Sequence, residues 1–124
     1  MGERLIAIYE KIEELIEEWN PALCGMESLF FFRNVSSAFP VAEAKGVIRL
    51  AVTKAGLGLV EYSPTAIKQA VTGTARAEKG QIQEMVRILL GLTAIPKPDH
   101  AADALAAAIC RANNEGPFQN ARPH

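Results

Sequence analysis

The fold is decided by residues 22–32, which read ALCGMESLFFF. This stretch is a continuous apolar run with one carboxylate, Glu27, near its middle. An apolar run of this length predicts a strand covered on both faces, as in a sheet flanked by helices. A carboxylate buried without a partner is strongly unfavourable. Glu27 is therefore expected either at the C-terminal end of a central strand, where α/β sheets place their chemistry, or at the solvated edge of a strand that ends near Met26.

The composition is that of one soluble globular domain. The chain has 124 residues, 49% of them hydrophobic and 22% charged, which is enough for one core but not for two. No apolar run approaches the length of a membrane span, and the acidic residues near the start argue against a signal peptide. Cys24 and Cys110 lie in apolar segments without metal-binding spacing, so we expect buried thiols in a reducing compartment, the cytoplasm.

Charge is distributed unevenly along the chain. Residues 1–30 carry seven glutamates against Arg4 and Lys11, a net charge of −5, whereas residues 31–124 carry a net charge of +4. The position of positive charge matters more to a nucleic-acid-binding protein than its total. The asymmetry therefore permits a basic face in the second part of the chain without proving one.

The first half of the chain predicts two helices around the decisive strand. Apolar residues at helical spacing predict an amphipathic helix over residues 3–19 with an acidic, solvated opposite face. A second helix is expected to about residue 55, with Ser36 or Ser37 as its cap and Pro40 in its first turn. Gly46 in its middle is expected to mark a close approach of another element.

The second half predicts a short strand over 57–62 and three further helices. The helices are expected over 64–71, 77–91 and 99–113, the first of them capped by Ser63. The element order is then α-β-α-β-α-α-α, a layered α/β domain over residues 1–113 with a flexible tail at 114–124. A sheet of two strands is too small to cover so many apolar helix faces, so part of the sheet is expected to be missing from the chain.

The aspartates of this chain fall in one short segment. Asp99 and Asp103 are the only two, and His100 lies three residues before Asp103, on the same helix face. With Glu27 they would supply oxygen and nitrogen ligands suited to Mg²⁺ or Mn²⁺. The alternatives are that Asp99 caps the helix, that Asp103 favours its positive end and that His100 is a surface residue.

Basic and aromatic side chains form a second candidate set. The sequence has recurrent basic residues after residue 32, and Lys68, Arg76 and Lys79 lie near predicted helix starts, where phosphate groups bind well. Phe30 belongs to three consecutive phenylalanines that could stack on an unpaired base, although core packing must account for at least one of them. The basic residues in question are Arg33, Lys45, Lys68, Arg76, Lys79 and Arg87.

Six segments in order resemble the RuvC family of Holliday-junction resolvases. The likeness runs from about residue 4 to residue 113, and the combination is far more specific than any one motif. The segments are MESLFFFRNV at 26–35, EYSP at 61–64, IKQAVTG at 67–73, AEK at 77–79, QEMVR at 83–87 and DHAADAL at 99–105.

The resemblance implies an RNase H-like fold, a mixed sheet flanked by helices, and a homodimer that makes paired, metal-dependent nicks in four-way DNA junctions. It assigns metal binding and catalysis to Glu27, His100 and Asp103, with Mg²⁺ as the cofactor and Mn²⁺ as an alternative. Family partners include the RuvA–RuvB branch-migration complex, and no membrane is involved. The implied DNA-binding residues are Phe30, which handles bases at the crossover, with Arg33, Asn34, Lys68, Arg76 and Lys79.

One departure from the family is serious. The family begins with strands that carry a first catalytic aspartate, and this chain begins at the helix that follows them. The resemblance therefore implies an N-terminally truncated form: an expression fragment, a misplaced reading-frame start or a degenerate natural version. We expect a junction endonuclease that is weak or inactive in this form. The alternatives are a non-catalytic module that binds junctions or a partner, and association or partial unfolding through an uncovered apolar face.

Overall fold

A computed structural model describes residues 2–28 and 35–114. The elements follow the predicted order α-β-α-β-α-α-α, and the two strands lie side by side in a parallel two-stranded sheet. No helix in these two ranges is long and apolar enough to cross a membrane. The elements are α1 (Gly2–Trp19), β1 (Leu23–Glu27), α2 (Val35–Lys54), β2 (Gly58–Tyr62), α3 (Pro64–Thr72), α4 (Lys79–Leu90) and α5 (Asp99–Asn113).

The described residues divide into two compact units. The first contains α1, α2, the start of β1 and the start of β2. In it α1 packs on α2, and the Lys54 ammonium group lies 5.8 Å from the centre of the Tyr9 ring, within the range of a cation–π contact. Ala51 and Val52 of α2 are buried, whereas no residue of α1 is.

The second unit contains Gly25–Ser28 and the chain from Val60 onward. Its helices α3, α4 and α5 pack on one another around a small apolar core. Val86 of α4 is completely buried, and α5 contributes alanines at positions where little side-chain volume fits between helices. The buried core residues are Ile67, Val71, Val86, Ala106, Ala107 and Cys110.

The helix ends of the second unit are defined by local hydrogen bonds and by glycines, and of these the Ser63 cap was predicted. Ser63 caps α3, because its hydroxyl accepts a hydrogen bond from the Ala66 N–H at 3.0 Å. Gly73 and Gly91 end α3 and α4 in the left-handed conformation, with φ of 86° and 65°, which costs glycine little. At the start of α4 the Glu78 N–H donates to Gln81 Oε1 at 2.7 Å, which fixes the backbone from which the Lys79 side chain extends.

Four predictions for the first part of the chain are wrong. The strand covers Leu23–Glu27 and is half-buried in its middle rather than buried on both faces, because it has one neighbouring strand among the described residues. Helix α2 begins at Val35, before Ser36, so neither serine precedes it and Pro40 is its sixth residue. Among the described residues, a Cβ atom added to Gly46 would meet nothing within 4 Å beyond the neighbouring backbone of its own helix, so no other element approaches this glycine closely there. Phe30–Phe32 and residues 115–124 lie outside the described residues.

Candidate active site

An open cleft of about 260 Å³ in the second unit brings several of the predicted site residues together. Four charged side chains face it: two carboxylates, from β1 and α5, and two ammonium groups, from α3 and α4. Apolar side chains of α3, α4 and α5 form its walls. The lining residues are Glu27, Pro64, Ile67, Lys68, Lys79, Ile82, Asp103 and Ala106.

Glu27 is the last residue of β1 and is exposed. The strand is held at this end because the N–H of the next residue, Ser28, donates to the carbonyl oxygen of Tyr62 at 2.8 Å. The structure therefore combines the two alternatives for this residue: Glu27 lies at the carboxyl end of a strand, in the position typical of α/β sites, and it is also in contact with solvent.

Strand β1 approaches α5 very closely at Gly25. A Cβ atom added there would lie 2.8 Å from the carbonyl oxygen of Ala107 and 2.8 Å from the Cβ of Arg111. Real Cβ atoms do not come so near a backbone oxygen, so a side chain at this position would push the strand and the helix apart. Because Glu27 is two residues along β1 and Asp103 is one turn before Ala107 on α5, Gly25 sets the separation of the two carboxylates.

Asp103 shares a cation with Asp99, one helical turn earlier on α5. The Lys79 ammonium nitrogen lies 3.5 Å from Asp99 Oδ2 and 4.0 Å from Asp103 Oδ2. The expectation that Asp99 caps the helix is wrong: Pro98 is the residue before α5, and Asp99 is its first helical residue. In that position its charge faces the positive end of the helix and also attracts Lys79.

The basic residues of the sequence separate into distinct groups in the structure. Lys68, half-buried on α3, and Lys79 line the cleft, whereas Arg76 is exposed in the loop between α3 and α4 and does not. The Arg87 guanidinium contacts the Glu84 carboxylate through Nε at 3.1 Å and the Leu92 carbonyl oxygen through Nη1 at 3.3 Å. This ion pair lowers the pKa of Glu84 and commits Arg87 to the end of α4.

Cys110 is a buried, free thiol of α5. Burial raises the pKa of Cys110 above its usual value, and the Asn114 side chain, which donates a hydrogen bond to the sulfur at 3.7 Å, opposes that rise. A raised pKa favours the neutral thiol, which is a poor nucleophile. Cys110 therefore acts as a packing residue of the core. The expectation of a buried thiol is confirmed for Cys110, whereas Cys24 is half-buried.

A family model described as "Crossover junction endodeoxyribonuclease RuvC" matches residues 1–111. The chain belongs to the RuvC family. It is 54% identical to the protein of that name from Treponema denticola over 112 residues, which cover 90% of this chain and 63% of that protein. It is 53% identical to that from Desulfitobacterium hafniense strain DCB-2 over 114 residues, 92% of this chain and 69% of the relative.

The fold is likewise that of RuvC. The structure of Thermus thermophilus RuvC matches with a TM-score of 0.84 and 36% identity, over 90% of this chain and 68% of that one. The T. thermophilus RuvC structure in complex with Holliday junction substrate matches with a TM-score of 0.89 and 34% identity, over 94% and 71%. The expected RNase H-like α/β fold is confirmed. The chain spans about two thirds of the length of these relatives.

RuvC membership implies a divalent metal, and the cleft contains some of the side chains that could bind one. Glu27 and Asp103 face the same cleft and offer the carboxylate oxygens that Mg²⁺ prefers. His100 lies three residues before Asp103 on α5 but is exposed and does not line the cleft. Across residues 2–28 and 35–114, no three histidine, cysteine or acidic residues are grouped closely enough to hold a metal ion. The chemistry of these two carboxylates suits a divalent ion.

The remaining predicted residues have mixed outcomes. Phe30, Arg33 and Asn34 lie outside the described residues. Sequence reasoning missed two contributors, Asp99 as a partner of Lys79 and Gly25 as a spacer. The spacing of Asp99 and Asp103 by four residues was a signal for the first, because side chains at that distance share a helix face. Nothing in the sequence indicated the second, since it depends on a contact between residues that are 82 apart.

Proposed function

We propose that this chain carries the junction-binding and catalytic cleft of a RuvC endonuclease, which nicks four-way DNA junctions in recombination and repair. One observation carries the proposal: two carboxylates and two lysines from four elements face one open cleft. Carboxylates suit a metal ion and lysines suit phosphate oxygens, which together is the requirement for phosphodiester hydrolysis. Relatives that match most of this chain are named crossover junction endodeoxyribonucleases.

The proposed metal ligands are Glu27, Asp103 and His100, with Mg²⁺ as the ion and Mn²⁺ as an alternative. A rotation of the exposed His100 side chain would bring its ring toward Asp103, because the two residues share a face of α5. A bound divalent ion would activate water and neutralise charge on the phosphodiester. With two carboxylates in place, we expect weak metal affinity and impaired nicking by this chain.

The proposed DNA contacts are phosphate contacts made by Lys68 and Lys79, which hold the strand beside the carboxylates. Arg76, exposed between α3 and α4, extends the positive surface. Arg33 and Asn34 are proposed as further DNA contacts. Phe30, three residues beyond Glu27, is proposed to stack on a base at the crossover. The phosphate contacts would fix the position of the strand without reading its sequence.

The proposed setting follows the family. A homodimer would present two clefts to the two symmetric strands of a junction and so produce paired nicks. We also propose cooperation with the RuvA–RuvB branch-migration complex. The proposed location is the cytoplasm, because a DNA substrate and free cysteines both suit that reducing compartment.

The test is binding and cleavage of a synthetic four-way junction by the intact chain. We expect a gel-shift affinity for the junction at least about tenfold above that for a linear duplex of equal length at low salt, falling steeply as salt rises. With Mg²⁺ or Mn²⁺ we expect only slow nicking. Equal affinity for junction and duplex would contradict the proposal, and symmetric nicking at the rate of an intact relative would contradict the expected impairment.

A non-catalytic junction-binding or partner-binding module is the second candidate. It is favoured by the incomplete ligand set among the described residues. It predicts that Glu27→Gln leaves junction affinity unchanged and that the chain does not nick the junction at any concentration of Mg²⁺ or Mn²⁺. Metal-dependent nicking that Glu27→Gln abolishes would exclude it, because binding alone has no need of that carboxylate.

A further inference from the structure

Lys79 is shared by two carboxylates that have different surroundings. Its ammonium nitrogen is 3.5 Å from Asp99 Oδ2 and 4.0 Å from Asp103 Oδ2. Asp103 lines the cleft with Glu27, whereas Asp99 does not line it. The three side chains are 56%, 65% and 47% exposed for Lys79, Asp99 and Asp103. The ammonium group is therefore held loosely, between one carboxylate inside the cleft and one outside it.

A divalent ion on Asp103 conflicts with Lys79 in its present position. The ion and the ammonium group would compete for the same carboxylate oxygens and repel each other at close range. Lys79 can leave Asp103 and remain at the edge of the cleft, because Asp99 lies one turn toward the start of α5 and is already the nearer partner. A long, flexible lysine side chain makes such a change at little cost.

We propose that Asp99 is a positioning residue that draws Lys79 away from Asp103, so that Asp103 can bind a divalent ion while the ammonium group stays at the edge of the cleft for a phosphate oxygen. The inference rests on the proposed metal site at Asp103 and adds to it the residue that keeps the lysine from occupying that site. Asp99 acts through Lys79 and does not contact the ion.

The test is a double-mutant cycle on Mn²⁺ affinity, measured with the intact chain at low salt from the EPR signal of free Mn²⁺. We expect Asp99→Asn to weaken binding about fivefold, because Lys79 then pairs with Asp103 alone, and Lys79→Met to strengthen binding about threefold. In the Lys79→Met background, Asp99→Asn is expected to change the affinity less than about twofold. Asp99→Glu, which keeps the charge, should restore the wild-type affinity to within about twofold.

Two further variants separate the role of Asp99 from a general charge effect and from the metal site itself. Glu84→Gln removes the same charge from the Arg87 pair elsewhere in the unit and is expected to leave Mn²⁺ affinity unchanged. Asp103→Asn reports the proposed metal site itself and should weaken binding about tenfold. Equal effects of Asp99→Asn with and without Lys79 would overturn the positioning role while leaving the metal site intact. An unchanged affinity in Asp103→Asn would instead overturn the metal site, and the role of Asp99 with it.

Discussion

Helices α1 and α5 are both amphipathic, yet they differ in what they bury. Helix α1 has 18 residues and buries none, and its apolar side chains include Ile6 and Trp19, which are 59% and 72% exposed. Helix α5 has 15 residues and buries five of them, mostly alanines. Alanine lets backbones approach closely, and α5 has neighbours on several sides: α3, α4 and β1. A stripe of large apolar residues thus predicts a helix but does not ensure its burial.

This difference in burial between α5 and α1 also distinguishes the two units that contain them. In the unit with α5, the packing that buries alanines also fixes the separation of Glu27 and Asp103, so stability and site geometry depend on the same contacts. In the unit with α1, exposed apolar side chains and an acidic surface leave most single changes without structural consequence. Variants that are matched between buried and open positions test this distinction.

The largest expected effect is in the core of the second unit. Val86→Asn places an amide in a completely buried position without a hydrogen-bond partner, and we expect it to lower the free energy of unfolding by about 3 kcal/mol. Ile88→Asn, two residues further along the same helix and 53% exposed, should cost under about 1 kcal/mol. Urea unfolding followed by circular dichroism measures both, and equal costs would show that the core is not where the structure has it.

Glycine substitutions are expected to have opposite signs in the two units. Gly25→Ala forces β1 and α5 apart at two 2.8 Å contacts and should destabilise the chain by about 2 kcal/mol. Gly46→Ala, in open space within α2, should stabilise it by about 0.5 kcal/mol because alanine is the better helix former. Urea midpoints for the two variants provide the comparison. A neutral Gly25→Ala would contradict the close packing of β1 on α5.

The smallest expected effect concerns the Glu84–Arg87 pair. Arg87 lowers the pKa of Glu84 in the folded chain, so the pair stabilises the fold above the ordinary carboxyl pKa of about 4.3 and loses that contribution as the pH falls toward the lowered value. Wild type should therefore unfold at a slightly higher urea concentration than Glu84→Gln at pH 7, and the difference should shrink as the pH is lowered below about 4. A difference that grows on acidification would contradict the stabilising role of the ionised Glu84–Arg87 pair.

The sequence predicted the elements and several site residues but not the contacts that couple them. The cap at Ser63 is local in sequence, so its chemistry alone predicted where α3 begins. Asp99 was interpreted as a cap because local rules favour it there. Its contact with Lys79 joins residues 20 apart, and no local rule includes such a partner. The grouping of Glu27 with Asp103 came from their shared donor chemistry and from the family resemblance, since periodicity alone cannot bring a strand and a distant helix together.

The measurement that tests the central claim most directly is the salt dependence of four-way junction binding in Lys68→Ala/Lys79→Ala. Both lysines face the cleft, so we expect about a tenfold loss of affinity at low salt and a log–log salt slope reduced by about 2. Arg4→Ala/Lys11→Ala removes the same charge from α1 and should change neither quantity appreciably. Equal losses in the two double variants would contradict the claim that this cleft is where the chain holds DNA.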